Sequence, residues 1–221
     1  LTDDTPKPLL NVGNKPILET ILNQFIEAGF HNFFISTHYK ADMVREYFGD
    51  GSQWGISLTY KIQPSPEGLA QAFILAEDFL AGGPSAMILG DNIFFGHGLP
   101  AALAAANLQK SGATVFGYHV SDPERYGVVD FDADGTVKRI IEKPEVPPSN
   151  YAVTGLYFVD ETAPDRAKSV KPSPRGEIEI TELLETYLQD GNLRVEIMGR
   201  GYAWLDTGTH DSLVEASNFI K

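Results

Sequence analysis

Between Pro16 and Tyr118 the apolar residues switch repeatedly between helical spacing and strand spacing, and few folds accept that alternation. Ile17, Leu18, Ile21, Leu22, Phe25 and Ile26 recur at helical intervals behind Pro16, which suits a first helical turn, and stop at Gly29. Asn32 to Thr37 reads as a strand, Ala41 to Phe48 as a short helix ended by Gly49-Asp50-Gly51, and Ile56 to Ile62 as a second strand. A helix over Leu69 to Phe79, an apolar strand over Ala86 to Leu89, an alanine-rich helix over Leu99 to Leu108 and a strand over Ala113 to Tyr118 follow. Strands alternating with helices predict an α/β protein: a mostly parallel central sheet with helices on both faces.

After Tyr118 the pattern changes. Gly127 to Phe131 and Val137 to Glu142 flank Asp132-Ala133-Asp134-Gly135, a hairpin with an Asp-Gly turn. Tyr151 to Val159 reads as a strand. Ile180, Leu183, Leu184, Tyr187 and Leu188 make one helix face, and strands are expected over Leu193 to Met198 and Tyr202 to Leu205. A last helix begins at Thr209-His210-Asp211, with Leu213, Val214 and Phe219 available to a core. No Pro/Ser/Gly linker divides the halves, so residues 1–221 read as a single domain: a parallel-rich sheet extended by hairpins. Leu1 is not Met, and Lys221 falls inside a helical pattern, so both ends look clipped.

The net charge of −13 argues against a polyanion-binding surface, which needs clustered Lys and Arg. There is no cysteine, hence neither a disulfide nor a thiolate metal site, which fits a reducing compartment such as the cytoplasm. No apolar run approaches the ~18 residues of a membrane span, and no signal-peptide pattern is present.

Candidate chemistry starts at Gly90-Asp91, where a carboxylate sits at the end of the Ala86–Leu89 strand. Ligands of open α/β sheets bind at that edge, although Gly-Asp is also an ordinary turn. Asp206 closes a second apolar strand, and two strand-end carboxylates are what Mg²⁺ needs from a protein when phosphate supplies its other ligands. Lys7, held between Pro6 and Pro8, is presented from a stiff loop, and Lys143 follows a strand in Ile141-Glu142-Lys143-Pro144. Each reads alone as a solvated lysine; with the aspartates they make a phosphate-and-metal site. Gln63 and Gly68 bracket the Pro-Ser-Pro loop, where the Gln63 amide can read a base edge or the loop can simply cap a helix. Glu142, Tyr126 and Gly127 suit sugar hydroxyls or a buried structural role equally. The chain contains no Walker-type phosphate loop.

These stretches resemble the sugar-1-phosphate nucleotidylyltransferases. The resemblance is carried by Gly49-Asp50-Gly51-Ser52-Gln53-Trp54-Gly55, by Gln63-Pro64-Ser65-Pro66-Glu67-Gly68-Leu69-Ala70 and by Leu89-Gly90-Asp91-Asn92-Ile93-Phe94. It continues through Glu124-Arg125-Tyr126-Gly127-Val128, Glu142-Lys143-Pro144 and Tyr151-Ala152-Val153-Thr154-Gly155, then Arg175-Gly176-Glu177-Ile178-Glu179-Ile180-Thr181 and Tyr202-Ala203-Trp204-Leu205-Asp206-Thr207-Gly208. From about residue 50 onward the thymidylyl-transferring members are the nearest in pattern. Residues 1–50, through Lys7-Pro8-Leu9-Leu10 and Asn14-Lys15-Pro16, look closer to guanylyltransferase-like relatives.

The resemblance implies a Rossmann-like nucleotide-diphospho-sugar transferase fold and residue roles to go with it. Asp91 and Asp206 would hold Mg²⁺. Lys7 would contact the nucleotide phosphates, with Gln63, Gly68, Leu89 and Asp91 completing the nucleotide site. Tyr126, Gly127, Glu142 and Val153 would surround the hexose, and Lys143 and Arg175 would bind its phosphate. Lys7, Lys143, Asp91 and Asp206 would form the catalytic set. The implied substrates are dTTP and glucose 1-phosphate; UTP, GTP or mannose 1-phosphate, or non-catalytic binding of a nucleotide sugar, are the alternatives. Neither a nucleic-acid polymer nor a membrane is implied as partner, and the resemblance implies a homo-oligomer, a homotetramer in the intact family, in the cytoplasm. The family opens with a strand and a G-G-x-G-T-R-L-x-P loop, and Leu1-Thr2 look like the residues just beyond it. Without that strand and loop, residues 1–221 by themselves are expected to be inactive; the family's C-terminal helices are also lacking.

Overall fold

The computed structural model describes residues 4–208 and 210–219; Leu1, Thr2 and Thr209, which figure in the expectations above, lie outside them. A 3-10 turn over Lys7–Leu9 leads into a short antiparallel ribbon, β1 (Asn11–Val12) and β2 (Lys15–Pro16). Helix α1 (Ile17–Glu27) starts directly after Pro16 and buries Ile17, Leu18, Ile21, Leu22 and Phe25, the stripe its spacing predicts. Strand β3 (Asn32–Thr37), helix α2 (Ala41–Phe48) and strand β4 (Ser57–Ile62) follow as expected. The helix expected over Leu69 to Phe79 is two short pieces, α3 (Gln71–Leu75) and α4 (Glu77–Leu80), separated at Ala76, whose φ of −90° and ψ of 0° interrupt the run.

Strand β5 (Ser85–Ile88) ends three residues before a strand not expected, β6 (Asn92–Gly96), so Asp91 sits in the turn between them, closed by Asn92 N–H donating to Leu89 O at 3.0 Å. Helix α5 (Leu99–Asn107), strand β7 (Ala113–His119) and the hairpin β8 (Gly127–Phe131) and β9 (Val137–Glu142) come next. The hairpin turn closes through Gly135 N–H to Asp132 O at 2.9 Å, with Gly135 at φ 84°. Strand β10 (Tyr151–Val159) precedes a second unexpected element, α6 (Ala163–Ser169). Then come α7 (Ile180–Gln189), β11 (Leu193–Ile197), β12 (Tyr202–Asp206) and α8 (His210–Phe219).

The chain sorts into two compact units, one of residues 1–65, 88–104 and 201–221, the other of residues 66–87 and 105–200. In the first unit β3 and β4 run parallel, and β6 and β12 run antiparallel with Asn92 opposite Asp206. Leu18, Leu22, Val44, Phe48, Ile56 and Leu58 pack into one core with Phe33, Ile35 and Trp54 against them. The Gln24 amide donates to Phe94 O, fixing α1 to β6.

The second unit holds a six-stranded sheet in the order β11-β7-β10-β8-β9, with β5 also pairing β10. Strands β7 and β11 are parallel, while β10 is antiparallel to β7 and β8, and β8 to β9. The α/β class holds; a parallel arrangement is found at β3–β4 and β7–β11, and the sheet of the second unit is mixed because hairpin returns reverse direction. Strand β10 is buried from Ala152 to Val159 without alternation, the sign of a strand covered on both faces. Beneath it Asp160 accepts from Gly112 N–H at 2.6 Å, Thr162 N–H at 3.0 Å and the Tyr187 hydroxyl at 2.9 Å. Burial alone would raise the Asp160 pKa; a hydrogen bond from the Thr162 hydroxyl, together with these three, outweighs it and holds the carboxyl below its usual range.

Candidate active site

Four of the predicted residues are gathered at one end of the β6–β12 ladder in the first unit. Pro6 and Pro8 set the 3-10 turn that presents Lys7. Its ammonium donates to Gly208 O at 2.8 Å and lies 3.8 Å from an Asp91 carboxylate oxygen. The Asp91 backbone carbonyl accepts both the N–H and the hydroxyl of Thr207, at 2.9 and 2.7 Å. That ties the β5–β6 turn to the residue following Asp206. Asp206 accepts Gly208 N–H at 3.0 Å and stands across the ladder from Asn92. Leu89 contributes the carbonyl that closes the turn. Among the described residues a Cβ at Gly90 would meet Pro8 Cγ at 3.9 Å, ordinary contact.

Asn92 is a residue the sequence reading passed over. It is 2% exposed, accepts the Trp204 indole N–H at 2.6 Å and donates to the Asp91 carboxylate at 2.9 Å. Indole N–H is donor-only, so it fixes which end of the amide faces Asp91. Gln63, also in this unit, follows β4: its N–H donates to Thr37 O at 2.7 Å, and its carbonyl accepts the His38 imidazole at 2.8 Å.

The second unit assembles the other predicted group on the β8–β9 hairpin and the loop before α7. Gly127 pairs with Glu142 across the hairpin, and a Cβ at Gly127 would lie 2.8 Å from Thr181 Cγ2 and 3.6 Å from the Glu142 carboxylate, so glycine keeps that carboxylate accessible. Thr181 donates to Glu142 at 3.3 Å, Lys143 lies 3.7 Å from it, and Arg175 lies 3.5 Å from it. Burial pushes the Glu142 pKa up, against the pull of Lys143 and Arg175 and with a further push from Glu179. Lys143 has φ of 43°, a left-handed conformation held by its N–H to Tyr126 O at 2.9 Å, with Pro144 following. Non-glycine residues kept in that region are strained and concentrate at functional sites. Tyr126 lies under the Arg125 guanidinium, and Val153 is buried at 7% exposure in β10.

Gly68 belongs to the second unit and has an internal reason to be glycine. At φ 101° a Cβ would sit 2.4 Å from Ile178 O, where Ile178 N–H donates to Glu67 O and Ala70 N–H to Ile178 O. The loop carrying Gly68 is thus stitched to the loop carrying Arg175.

One unit thus gathers a lysine and two carboxylates at the end of a strand ladder, and the other gathers a carboxylate, a lysine and an arginine on a hairpin and a loop. The chain belongs to the nucleotidyl transferase family, matching it over residues 1–221. It is 54% identical to the glucose-1-phosphate thymidylyltransferase of Xanthomonas campestris pv. campestris (strain B100), over the whole of this chain and 75% of that protein. It is 49% identical to the glucose-1-phosphate thymidylyltransferase of Neisseria gonorrhoeae, over the whole of this chain and 77% of that protein. Both matches include residues 1–50, the stretch that looks guanylyltransferase-like. Among solved structures, a Bacillus anthracis protein assigned as a glucose-1-phosphate thymidylyltransferase superposes with a TM-score of 0.88 at 37% identity, covering 99% of this chain and 89% of that one. A UDP-glucose pyrophosphorylase complexed with UDP-glucose superposes at 0.83 with 25% identity, covering 98% and 90%.

Proposed function

We propose that this chain transfers the thymidylyl group of dTTP to glucose 1-phosphate, forming dTDP-glucose and releasing pyrophosphate. The observation that carries the reading is similarity to glucose-1-phosphate thymidylyltransferases along the entire chain, at 42–54% identity. An oxygen of the sugar phosphate attacks the α-phosphorus in line and pyrophosphate leaves opposite. The nucleophile is already anionic, so catalysis is positioning and charge neutralisation rather than covalent intermediate formation.

Lys7 neutralises the nucleotide phosphates, Lys143 and Arg175 the sugar phosphate. Glu142 accepts hexose hydroxyls beside Tyr126, Gly127 and Val153. Gln63 reads the imide edge of the pyrimidine, with Gly68 and Leu89 shaping the nucleotide site. Asp91 and Asp206 fit a hard cation such as Mg²⁺: both are oxygen donors at one end of a single ladder, and Asn92 and Gly208 orient one oxygen of each. Phosphate oxygens would complete its shell; among the described residues no group of three or more His, Cys, Asp or Glu side chains is placed to hold a metal. When bound, Mg²⁺ supplies charge neutralisation at those oxygens.

Residues 1–221 are read as one nucleotidyltransferase domain, since the chain passes between the two units four times, at 65/66, 87/88, 104/105 and 200/201. The reading includes a homotetramer, measurable by sedimentation, and a cytoplasmic location. No helix among the described residues is long and apolar enough to cross a membrane.

The test is a pyrophosphate-release assay with glucose 1-phosphate, Mg²⁺ and each of dTTP, UTP and GTP. The expected result is turnover with dTTP, weaker turnover with UTP and little with GTP, and loss of metal-dependent turnover in Asp91→Asn and in Asp206→Asn. Preference for GTP overturns the base assignment; near-normal rates in both variants overturn the two-aspartate site.

A further inference from the structure

The loop before α7 treats Arg175 in a way that its implied role does not demand. All three of its ion pairs run through one nitrogen: Nη2 lies 2.9 Å from Glu179, 3.5 Å from Glu142 and 3.5 Å from Glu177. Among the described residues no hydrogen bond or ion pair engages Nη1 or Nε. The shortest of the three contacts is to the least exposed carboxylate, for Glu179 is 6% exposed while the Arg175 side chain is 42% exposed. Glu179 is itself pinned: the same oxygen that meets Arg175 accepts the Ser173 hydroxyl at 2.7 Å. Ser173 in turn accepts Arg175 N–H at 3.3 Å, and its N–H and C=O bond Glu177 O and Gly176 N–H, each at 2.8 Å. The carboxylate, hydroxyl and guanidinium therefore form a closed knot around a turn.

A buried carboxylate is retained only where it is paired and hydrogen-bonded. A guanidinium anchored at Nη2 is held in a fixed plane, which leaves the N–H donors of Nη1 aimed in a set direction for a phosphate oxygen. We infer that Glu179, braced by Ser173, is a positioning residue that anchors Arg175 at Nη2 so that its Nη1 donors are presented to the phosphate of the sugar substrate. The inference rests on the reading of Arg175 as a phosphate ligand given above. Glu179 itself touches no substrate in this scheme; it removes rotamer freedom that Arg175 would otherwise lose on binding.

The experiment measures KM for glucose 1-phosphate and for dTTP, and calorimetric binding of glucose 1-phosphate, in Glu179→Gln, Ser173→Ala, Arg175→Ala and the Glu179→Gln/Arg175→Ala double variant. Losing one charge-assisted anchor predicts a rise of about 10-fold in KM and Kd for glucose 1-phosphate in Glu179→Gln, and about 3-fold in Ser173→Ala. KM for dTTP should stay within about twofold in both, since neither residue faces the nucleotide in this scheme. In the Arg175→Ala background, Glu179→Gln should add less than about twofold, because the residue through which it acts is gone. A merely structural Glu179 would cost the same in both backgrounds and would move both KM values, and either result overturns the inference. Should Glu179→Gln fail to fold, Ser173→Ala decides alone: unchanged affinity for glucose 1-phosphate refutes the anchor. Arg175→Ala with unchanged affinity refutes the phosphate role of Arg175, whereas a weakened Arg175→Ala beside an unaffected Ser173→Ala and Glu179→Gln refutes only the anchoring.

Discussion

Lys143 allows backbone strain and side-chain function to be separated at one position. Its φ of 43° places it in the left-handed region, where a Cβ costs about 1–2 kcal/mol. Replacement by glycine relieves that cost but adds unfolded-state entropy of about 0.5–1 kcal/mol relative to alanine. Replacement by alanine removes the same ammonium and keeps the strain. Both variants lose the ion pair to Glu142, 3.7 Å long with the lysine half exposed, so screening limits it to at most ~1 kcal/mol and it cancels in the comparison. Lys143→Gly should then be more stable than Lys143→Ala by about 0.5–1 kcal/mol, a Tm difference of roughly 1–4 °C for a chain of this size. Loss of the ammonium from developing phosphate charge should lower turnover about 100-fold or more in both alike. Thermal melts read the first quantity and pyrophosphate release the second. An alanine variant that melts as high as the glycine variant refutes the strain argument. A glycine variant with near-normal turnover refutes the phosphate role.

Gly68→Ala should cost several kcal/mol, on the order of 3, because a Cβ 2.4 Å from Ile178 O combines a backbone clash with an unfavourable φ; chemical denaturation measures it. Asp160→Ala should be destabilising by roughly 3 kcal/mol or more, leaving buried donors on Gly112, Thr162 and Tyr187 without an acceptor. Because the folded pKa of Asp160 is depressed, its contribution to stability is present above the unfolded carboxyl value of about 3.9 and is lost as pH falls through the lower folded value. Acid melts of the parent and of Asp160→Asn should therefore converge there. Glu142 has the opposite sign: its raised pKa gives a stability contribution that is full below the unfolded value and fades as pH rises through the folded one. In the proposed role its ionised form would accept sugar hydroxyls, so KM for glucose 1-phosphate should rise on acidification at a higher pH than an ordinary carboxylate would give, and Glu142→Gln should abolish that limb.

Helices α1 and α7 were legible because a strong apolar stripe and packing pointed the same way, as the burial of Leu18, Leu22, Leu183 and Leu184 shows. Strand β6 was not, since Ile93-Phe94-Phe95 is an apolar run too short for periodicity to register and follows a Gly-Asp-Asn stretch that reads as a turn. Helix α6 carries only seven residues and packs through Ala163, Pro164 and Ala167, too small a stripe for periodicity to register. The proposed catalytic residues stand out in the sequence through their motifs, whereas the groups that hydrogen-bond to them do not. Asn92 looks like a turn residue and Glu179 like one more acidic side chain in Glu177-Ile178-Glu179; only tertiary burial distinguishes them from solvated neighbours.

The pairing of β6 with β12 has a consequence for how the protein is made. Trp204 and Asn92 are 112 positions apart, and Lys7 and Gly208 are 201 apart. Contacts so distant along the chain close late, because the loop entropy must be spent before they return anything. On a ribosome, Lys7 and Asp91 emerge long before Thr207 and Gly208 exist to hold them. The nascent polypeptide can complete the β7–β10 sheet while the end of the ladder that carries both aspartates still lacks its second strand. The aspartate pair is therefore assembled by the last-synthesised part of the ladder, and a chain stalled before Tyr202 would carry Asp91 without Asp206.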